Sequence, residues 1–256
     1  MAGPQSFRLV ALNCRYTHSC LALFYVRNAL ERHIPDAEIE LLPLTINDPY
    51  YQSLQRILAG DPDVLLFSAY IWNAAVLHRL VGDIGRIRPG QPMVIGGPQA
   101  GFLGDLPVEC TLVYGEIEGV DPVFYRHLAK RQLRPVYRAG AGVDFPLPFR
   151  PDDFRVHLRN RQILYESSRG CPFSCSYCLS AACSRVVHKE ISTVEDELRR
   201  LLKSRPPLIK FVDRTFNDRP GRALAIWEKL VEIGGKTRFH FEVAPDRFTE
   251  EQLDFL

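Results

Sequence analysis

The sequence predicts an α/β protein built from two successive series of β-α repeats. Three observations carry this. Over residues 1–140, short apolar runs alternate with amphipathic stretches at intervals of about 30 residues, the length of a βαβ unit. Residues 63–69 (DVLLFSA) are almost continuously apolar, as in a strand covered on both faces of a parallel sheet. Residues 141–161 break the pattern with Pro146, Pro148 and Pro151 and with Arg150, Arg155, Arg159 and Arg161, and the alternation then resumes over 162–256. The expected organisation is a first domain at 1–140, a solvated linker at 141–161 and a second domain at 162–256.

The elements follow in order. Residues 7–13 (FRLVALN) read as a buried strand, and a helix follows from about 19 to 32, with Leu21, Phe24, Tyr25, Ala29 and Leu30 close to helical spacing. A second strand is expected at 37–42 and a short helix at 49–58. The strand at 63–69 leads into a helix at 74–87. Residues 93–95 form a fourth strand running into Gly96-Gly97-Pro98. A fifth, at 111–114, ends at Gly115-Glu116, and 121–130 is helical. This repetition argues for a doubly wound, Rossmann-like domain. After the linker, a strand at 162–167 runs straight into a group of cysteines. Ser192 or Thr193 is expected to cap a helix ending near Ser204, with Val194, Leu198, Leu201 and Leu202 on one side. A strand at 208–212 and a helix at 221–233 come next. In the strand at 238–243, Phe239, Phe241 and Val243 alternate with His240 and Glu242. Another helix begins as the chain reaches Leu256.

Composition narrows the class. The 256 residues are 46% hydrophobic and 24% charged, enough to bury a core, and the net charge of +2 gives no reason to expect a nucleic-acid partner. Residues 1–8 lack the basic and apolar regions of a signal peptide, and no apolar run approaches the roughly 20 residues that span a bilayer. The expectation is a cytoplasmic protein without a membrane partner. Seven cysteines are present, three of them within eight residues. A disulfide framework would spread and pair them; clustering in a cytoplasmic chain points to metal.

The cluster reads Gly170-Cys171-Pro172-Phe173-Ser174-Cys175-Ser176-Tyr177-Cys178. Gly170 lets the backbone turn out of the strand and Pro172 stiffens the loop. Three thiolates at x3 and x2 spacing can wrap one corner of a cubane. Full thiolate ligation of a four-iron cluster takes four cysteines, so three leave one iron open for substrate chemistry. Spacing leaves a second reading, a zinc site or closed cluster completed by Cys183 or His188. The run Cys171-x3-Cys175-x-Tyr177-Cys178 after a strand resembles the radical S-adenosylmethionine (SAM) superfamily. The resemblance implies a 4Fe-4S cluster on Cys171, Cys175 and Cys178, with SAM chelating the open iron and Tyr177 near its adenine. One electron then cleaves SAM to a 5′-deoxyadenosyl radical. It also implies a partial (βα)6 barrel with SAM contacts at strand ends, where Asp213 and Glu242 stand; for Asp213 and Arg214, a local salt bridge is the competing role.

The first domain resembles the cobalamin-binding subgroup of that superfamily, through its position before the cysteine motif and through Gly96-Gly97-Pro98 and Gly115-Glu116 at strand ends. Ligands bind at the C-terminal edge of parallel strands. The resemblance implies a cobalamin site lined by Ser68, Gly96, Gly97, Gly115 and Glu116. Where histidine-coordinating cobalamin proteins carry Asp-x-His-x-x-Gly, this chain has Tyr16-Thr17-His18-Ser19-Cys20-Leu21, lacking both Asp and Gly. Without the Asp nothing orients an imidazole on cobalt, so His18 is read as a loop or helix-cap residue. Cys14, Cys20 and Cys110 receive no role.

Together these imply a radical SAM enzyme that transfers methyl groups from methylcobalamin to an unactivated centre of a small-molecule or peptide substrate, supplied with electrons by a flavodoxin or ferredoxin. The alternative is a non-catalytic metal-binding module holding zinc or a closed cluster on Cys171, Cys175, Cys178 and Cys183. An RNA-modifying role draws only on the linker arginines. About three of the six barrel units are expected after the linker, so the chain is read as truncated within the barrel.

Overall fold

The computed structural model of the chain describes residues 5–140, 144–182 and 185–255. They form two compact units, Met1–Arg150 and Pro151–Leu256.

The first unit is wound around a six-stranded sheet. Its elements are β1 (Ser6–Asn13), α1 (Leu21–His33), β2 (Glu38–Thr45), α2 (Tyr50–Leu58), β3 (Val64–Ser68), α3 (Ala74–Ile87), β4 (Met93–Gly96), β5 (Thr111–Tyr114), α4 (Pro122–Ala129) and β6 (Val136–Arg138). The strand order is β2-β1-β3-β4-β5-β6, parallel throughout. The order reverses at β1, so a crevice is expected outside the C-terminal ends of β1 and β3, where doubly wound sheets bind ligands.

Both faces of β1 are buried, which is why its sequence is a run and not an alternation. Val10 and Leu12 join a core with Leu54 and Ile57 of α2 and Leu77, Leu80, Val81 and Ile84 of α3. Arg8 is the charged residue of β1. Its guanidinium donates to the carbonyls of Arg56, Ile57 and Ala59, at 3.1, 2.7 and 2.6 Å, and pairs with Glu40 at 2.6 Å. It thereby satisfies the last carbonyls of α2, which have no partner within the helix. α4 starts on a cap that is legible in the sequence: Asp121 accepts from the Val123 N–H at 2.7 Å, with Pro122 in the first turn.

The unit boundary falls inside the stretch expected to be a linker. Residues 144–150 lie along α1. Phe145 and Phe149 are buried, and Phe149 packs edge-on against Phe24 with ring centroids 4.8 Å apart. The Pro148 carbonyl accepts from Asn28 at 2.9 Å and Arg27 at 3.2 Å, while Arg150 pairs with Glu31. Such a segment shows no periodicity because its carbonyls and isolated aromatics, rather than a repeating face, hold it down.

The second unit opens with α5 (Pro151–Val156) and continues with β7 (Ile163–Tyr165), β8 (Ser168–Arg169), β9 (Val187–His188), α6 (Ile191–Leu202), β10 (Leu208–Phe211), α7 (Pro220–Ile233), β11 (Arg238–His240) and α8 (Glu250–Phe255). β7, β10 and β11 make a parallel sheet with β10 central, and β8 pairs antiparallel with β9. The buried alternates Ile163, Tyr165, Ile209 and Phe211 belong to the same core as Val194, Leu198 and Leu201 of α6 and Ala223, Ile226 and Trp227 of α7. Phe211, Phe216, Phe241 and Trp227 extend it as a chain of aromatic contacts. Leu164, Lys210 and His240 are the less buried alternates. α6 starts earlier than its capping residues suggest: Glu190 stands at the N-cap without a side-chain bond, and Ser192 and Thr193 lie in the first turn. Among the described residues, no helix is long and apolar enough to cross a membrane.

Candidate functional site

The cysteine loop leaves β8 at Gly170 and returns at β9. Gly170 has φ +97°, and a Cβ there would lie 2.3 Å from the Arg185 carbonyl oxygen, so only glycine closes the loop's neck. The three thiols are outside any disulfide. Cys171 is buried, Cys175 half-buried and Cys178 exposed, and a turn ties the Cys178 N–H to the Cys175 carbonyl at 3.1 Å. Tyr177 is 91% exposed, a placement that leaves its ring free of the core. Among the described residues, no three His, Cys, Asp or Glu side chains converge closely enough to hold a metal ion. The donor set still fits an iron–sulfur cluster in kind: three soft thiols share one short loop. Cys183, the alternative fourth ligand, lies outside the described residues; His188 is instead 2.9 Å from Asp218.

The loop rests on the turn after β10. Asp213 is buried; its carboxylate accepts from the Ser167 N–H at 2.7 Å and from the Ser167 hydroxyl. Burial pushes its carboxyl above the usual range, against the pull of these hydrogen bonds. The Thr215 hydroxyl lies 3.6 Å from the Cys171 sulfur, with both residues buried. Arg222 donates to the carbonyls of Ser167 and Lys189, at 3.0 and 2.9 Å. Behind it, Glu197 accepts from Lys189 at 2.7 Å and from the Tyr165 hydroxyl at 2.8 Å. Arg247 sits over the Phe173 ring at 4.8 Å and donates to the Asp218 carbonyl at 3.1 Å. Glu242 pairs with Lys210 at 3.0 Å, on the partly exposed side of the sheet.

In the first unit, the sequence-derived residues collect along one edge. Ser68 ends β3 and is the register partner of Gly96, which ends β4; Gly97, Gly115 and Glu116 follow β4 and β5. Ser68 is buried, with the Cys20 sulfur 3.4 Å from its hydroxyl. Gly97, at φ +103°, would place a Cβ 2.6 Å from the Ala69 carbonyl oxygen, so it is required where two loops cross. At Gly96 a Cβ would meet nothing nearer than 3.8 Å. The same edge carries exposed apolar side chains that sequence reasoning passed over: Tyr16 after β1, Ile71 and Trp72 after β3, and Phe102 after β4. Tyr70 and Trp72 stack at 4.4 Å, and the Trp72 indole donates to the Leu12 carbonyl at 3.2 Å. The signal was available: a Tyr-Ile-Trp run directly after a strand, where turn chemistry would put polar residues. Such a rim of broad apolar groups suits a large, flat, partly apolar ligand, and corrin is one.

A B12-binding domain model matches residues 7–122. TokK of Streptomyces tokunonensis, a cobalamin-dependent radical SAM methyltransferase, is 28% identical over 213 residues, covering 69% of this chain and 30% of that protein. The 2-(S-pantetheinyl)-carbapenam-3-carboxylate methyltransferase of Streptantibioticus cattleyicolor is 29% identical over 158 residues, covering 49% and 23%. Residues 7–122 carry a B12-binding domain, and the chain is similar to cobalamin-dependent radical SAM methyltransferases. It spans less than a third of the length of these two relatives. Two solved cobalamin-binding radical SAM structures share its fold at 17% identity. OxsB with aqua-cobalamin superposes with a TM-score of 0.71, covering 97% of this chain and 41% of that one. TsrM of Kitasatospora setae, with cobalamin and a [4Fe-4S] cluster, gives 0.66, covering 99% and 57%. At that identity the likeness is one of fold.

Proposed function

We propose that this chain supplies the cobalamin-binding and cluster-bearing parts of a cobalamin-dependent radical SAM methyltransferase acting on an unactivated centre of a small molecule or peptide. One observation carries the reading: a loop with thiols at x3 and x2 spacing follows a strand in the same chain as a B12-binding domain. When bound, the cluster supplies one electron to SAM and cobalamin supplies a transferable methyl group. Cys171, Cys175 and Cys178 hold three irons of a 4Fe-4S cluster, and exposed Tyr177 offers a face to the adenine of SAM. Glu242, two residues beyond the end of β11, serves as a SAM contact. Asp213, its oxygens engaged by Ser167, acts on the site through the loop it anchors. Ser68, Gly96, Gly97, Gly115 and Glu116 border the cobalamin, with Tyr16, Ile71, Trp72 and Phe102 as apolar contacts. An external donor such as flavodoxin or ferredoxin reduces the cluster, and a cytoplasmic setting keeps the thiols reduced.

The test is anaerobic reconstitution with iron and sulfide, followed by EPR of the reduced protein with and without SAM. A four-iron signal that shifts with SAM and is lost in the triple variant Cys171→Ala, Cys175→Ala, Cys178→Ala is expected. A signal indifferent to SAM but dependent on Cys183 would replace this reading with a closed metal site.

A further inference from the structure

The turn between β10 and α7 reaches the cysteine loop at three places. Asp213 takes both Ser167 donors at the loop's entry, Thr215 meets Cys171, and Asp218 faces His188 on the return strand at 2.9 Å. Two of these contacts are scaffold to scaffold. The third joins the turn to a sulfur that the proposed reading makes a cluster ligand. Cys171 is 8% and Thr215 5% exposed, so this contact sits in a desolvated place where a hydrogen bond is stronger than in water.

In the thiol state either atom can donate. Once Cys171 is ligated its sulfur carries no proton, and the hydroxyl must be the donor. Reduction of a cluster adds one negative charge, shared among iron and sulfur. A hydrogen bond to a ligating sulfur stabilises that charge more in the reduced than in the oxidised state, and so raises the reduction potential. We propose that Thr215 is a positioning residue for the cluster, donating a hydrogen bond to the Cys171 sulfur that fixes its orientation and holds the reduction potential up. This rests on the cluster reading above and deepens it: the turn after β10 would set how readily the cluster accepts the electron.

The experiment is an EPR-monitored redox titration of the reconstituted full chain, with dithionite and mediators, comparing wild type, Thr215→Val and Thr215→Ser. Iron and sulfide content should be equal in all three. At the potential where half the wild-type clusters are reduced, Thr215→Val should show a reduced-to-oxidised ratio about tenfold lower, about 59 mV for a one-electron couple. Thr215→Ser, which keeps the hydroxyl, should return towards the wild-type ratio. If Thr215→Val does not fold by circular dichroism, Thr215→Ala makes the same comparison without an added apolar branch. A fully loaded Thr215 variant with an unchanged ratio overturns the proposal and leaves the cluster reading standing. A wild-type chain that takes up no cluster overturns both.

Discussion

Asp213 is a carboxylate whose surroundings pull in two directions. Burial raises its pKa, and the two Ser167 donors lower it by less. A folded-state value above the unfolded 3.8 means that the folded protein binds the proton more readily. The stability this contributes is fully present below pH 3.8 and is lost as pH rises through the raised value. Asp213→Asn, neutral throughout, should therefore flatten the fall in stability as pH rises above 3.8 in urea unfolding; a slope equal to wild type would contradict the assignment. Asp213→Ala leaves the Ser167 N–H without its acceptor and should cost about 1–3 kcal/mol. The cysteines differ in the same physical terms. Burial pushes the Cys110 thiol up from 9.0 to about 11, so its thiolate fraction at pH 8 falls about a hundredfold. Iodoacetamide labelling of the metal-free chain at pH 8, read by peptide mass spectrometry, should modify exposed Cys178 early and Cys110 late.

At the scale of elements, the β8–β9 hairpin is the part most sensitive to a single atom. Gly170→Ala adds a Cβ 2.3 Å from a backbone oxygen at a φ of +97°, and neither the carbonyl nor the dihedral can yield cheaply. The expected result is a loss of about 2–4 kcal/mol in denaturant unfolding, together with loss of iron uptake. Full iron loading in a folded Gly170→Ala variant would show that the neck does not shape the ligand loop. Arg8 ties β1 to the end of α2 in a similar manner, through three carbonyls and Glu40. Nothing in the run FRLVALN announces this, because the arginine's partners lie 32 to 51 residues away.

Across the whole molecule, the residues assigned to cobalamin lie in one compact unit and those assigned to the cluster in the other. Gly97→Ala, which forces a Cβ to within 2.6 Å of the Ala69 carbonyl oxygen, should displace the loops after β3 and β4. It should weaken cobalamin binding by at least about tenfold, followed by absorbance titration, with iron content unchanged. The triple cysteine variant should do the reverse. Parallel loss of both cofactors in either variant would contradict the proposed division of these residues between the two cofactors.

The sequence by itself determined what depends on near neighbours. Element order follows from 3.6- and 2-residue periodicities, and the ligand loop from three cysteines within eight residues. The path along α1 from Phe145 to Arg150, the short β6 and the early start of α6 escaped it, because each is held by distant carbonyls or packing rather than by its own pattern. Only the tertiary structure decided the strand order, in which β1 lies between β2 and β3 and the pairing of β3 with β4 brings Ser68 beside Gly96. Only it buried Asp213 against Ser167, joined Glu242 to Lys210 and brought Thr215 to Cys171. Thr215 and Cys171 stand 44 residues apart, and their meeting is fixed by the register of β7 against β10, which no local spacing encodes.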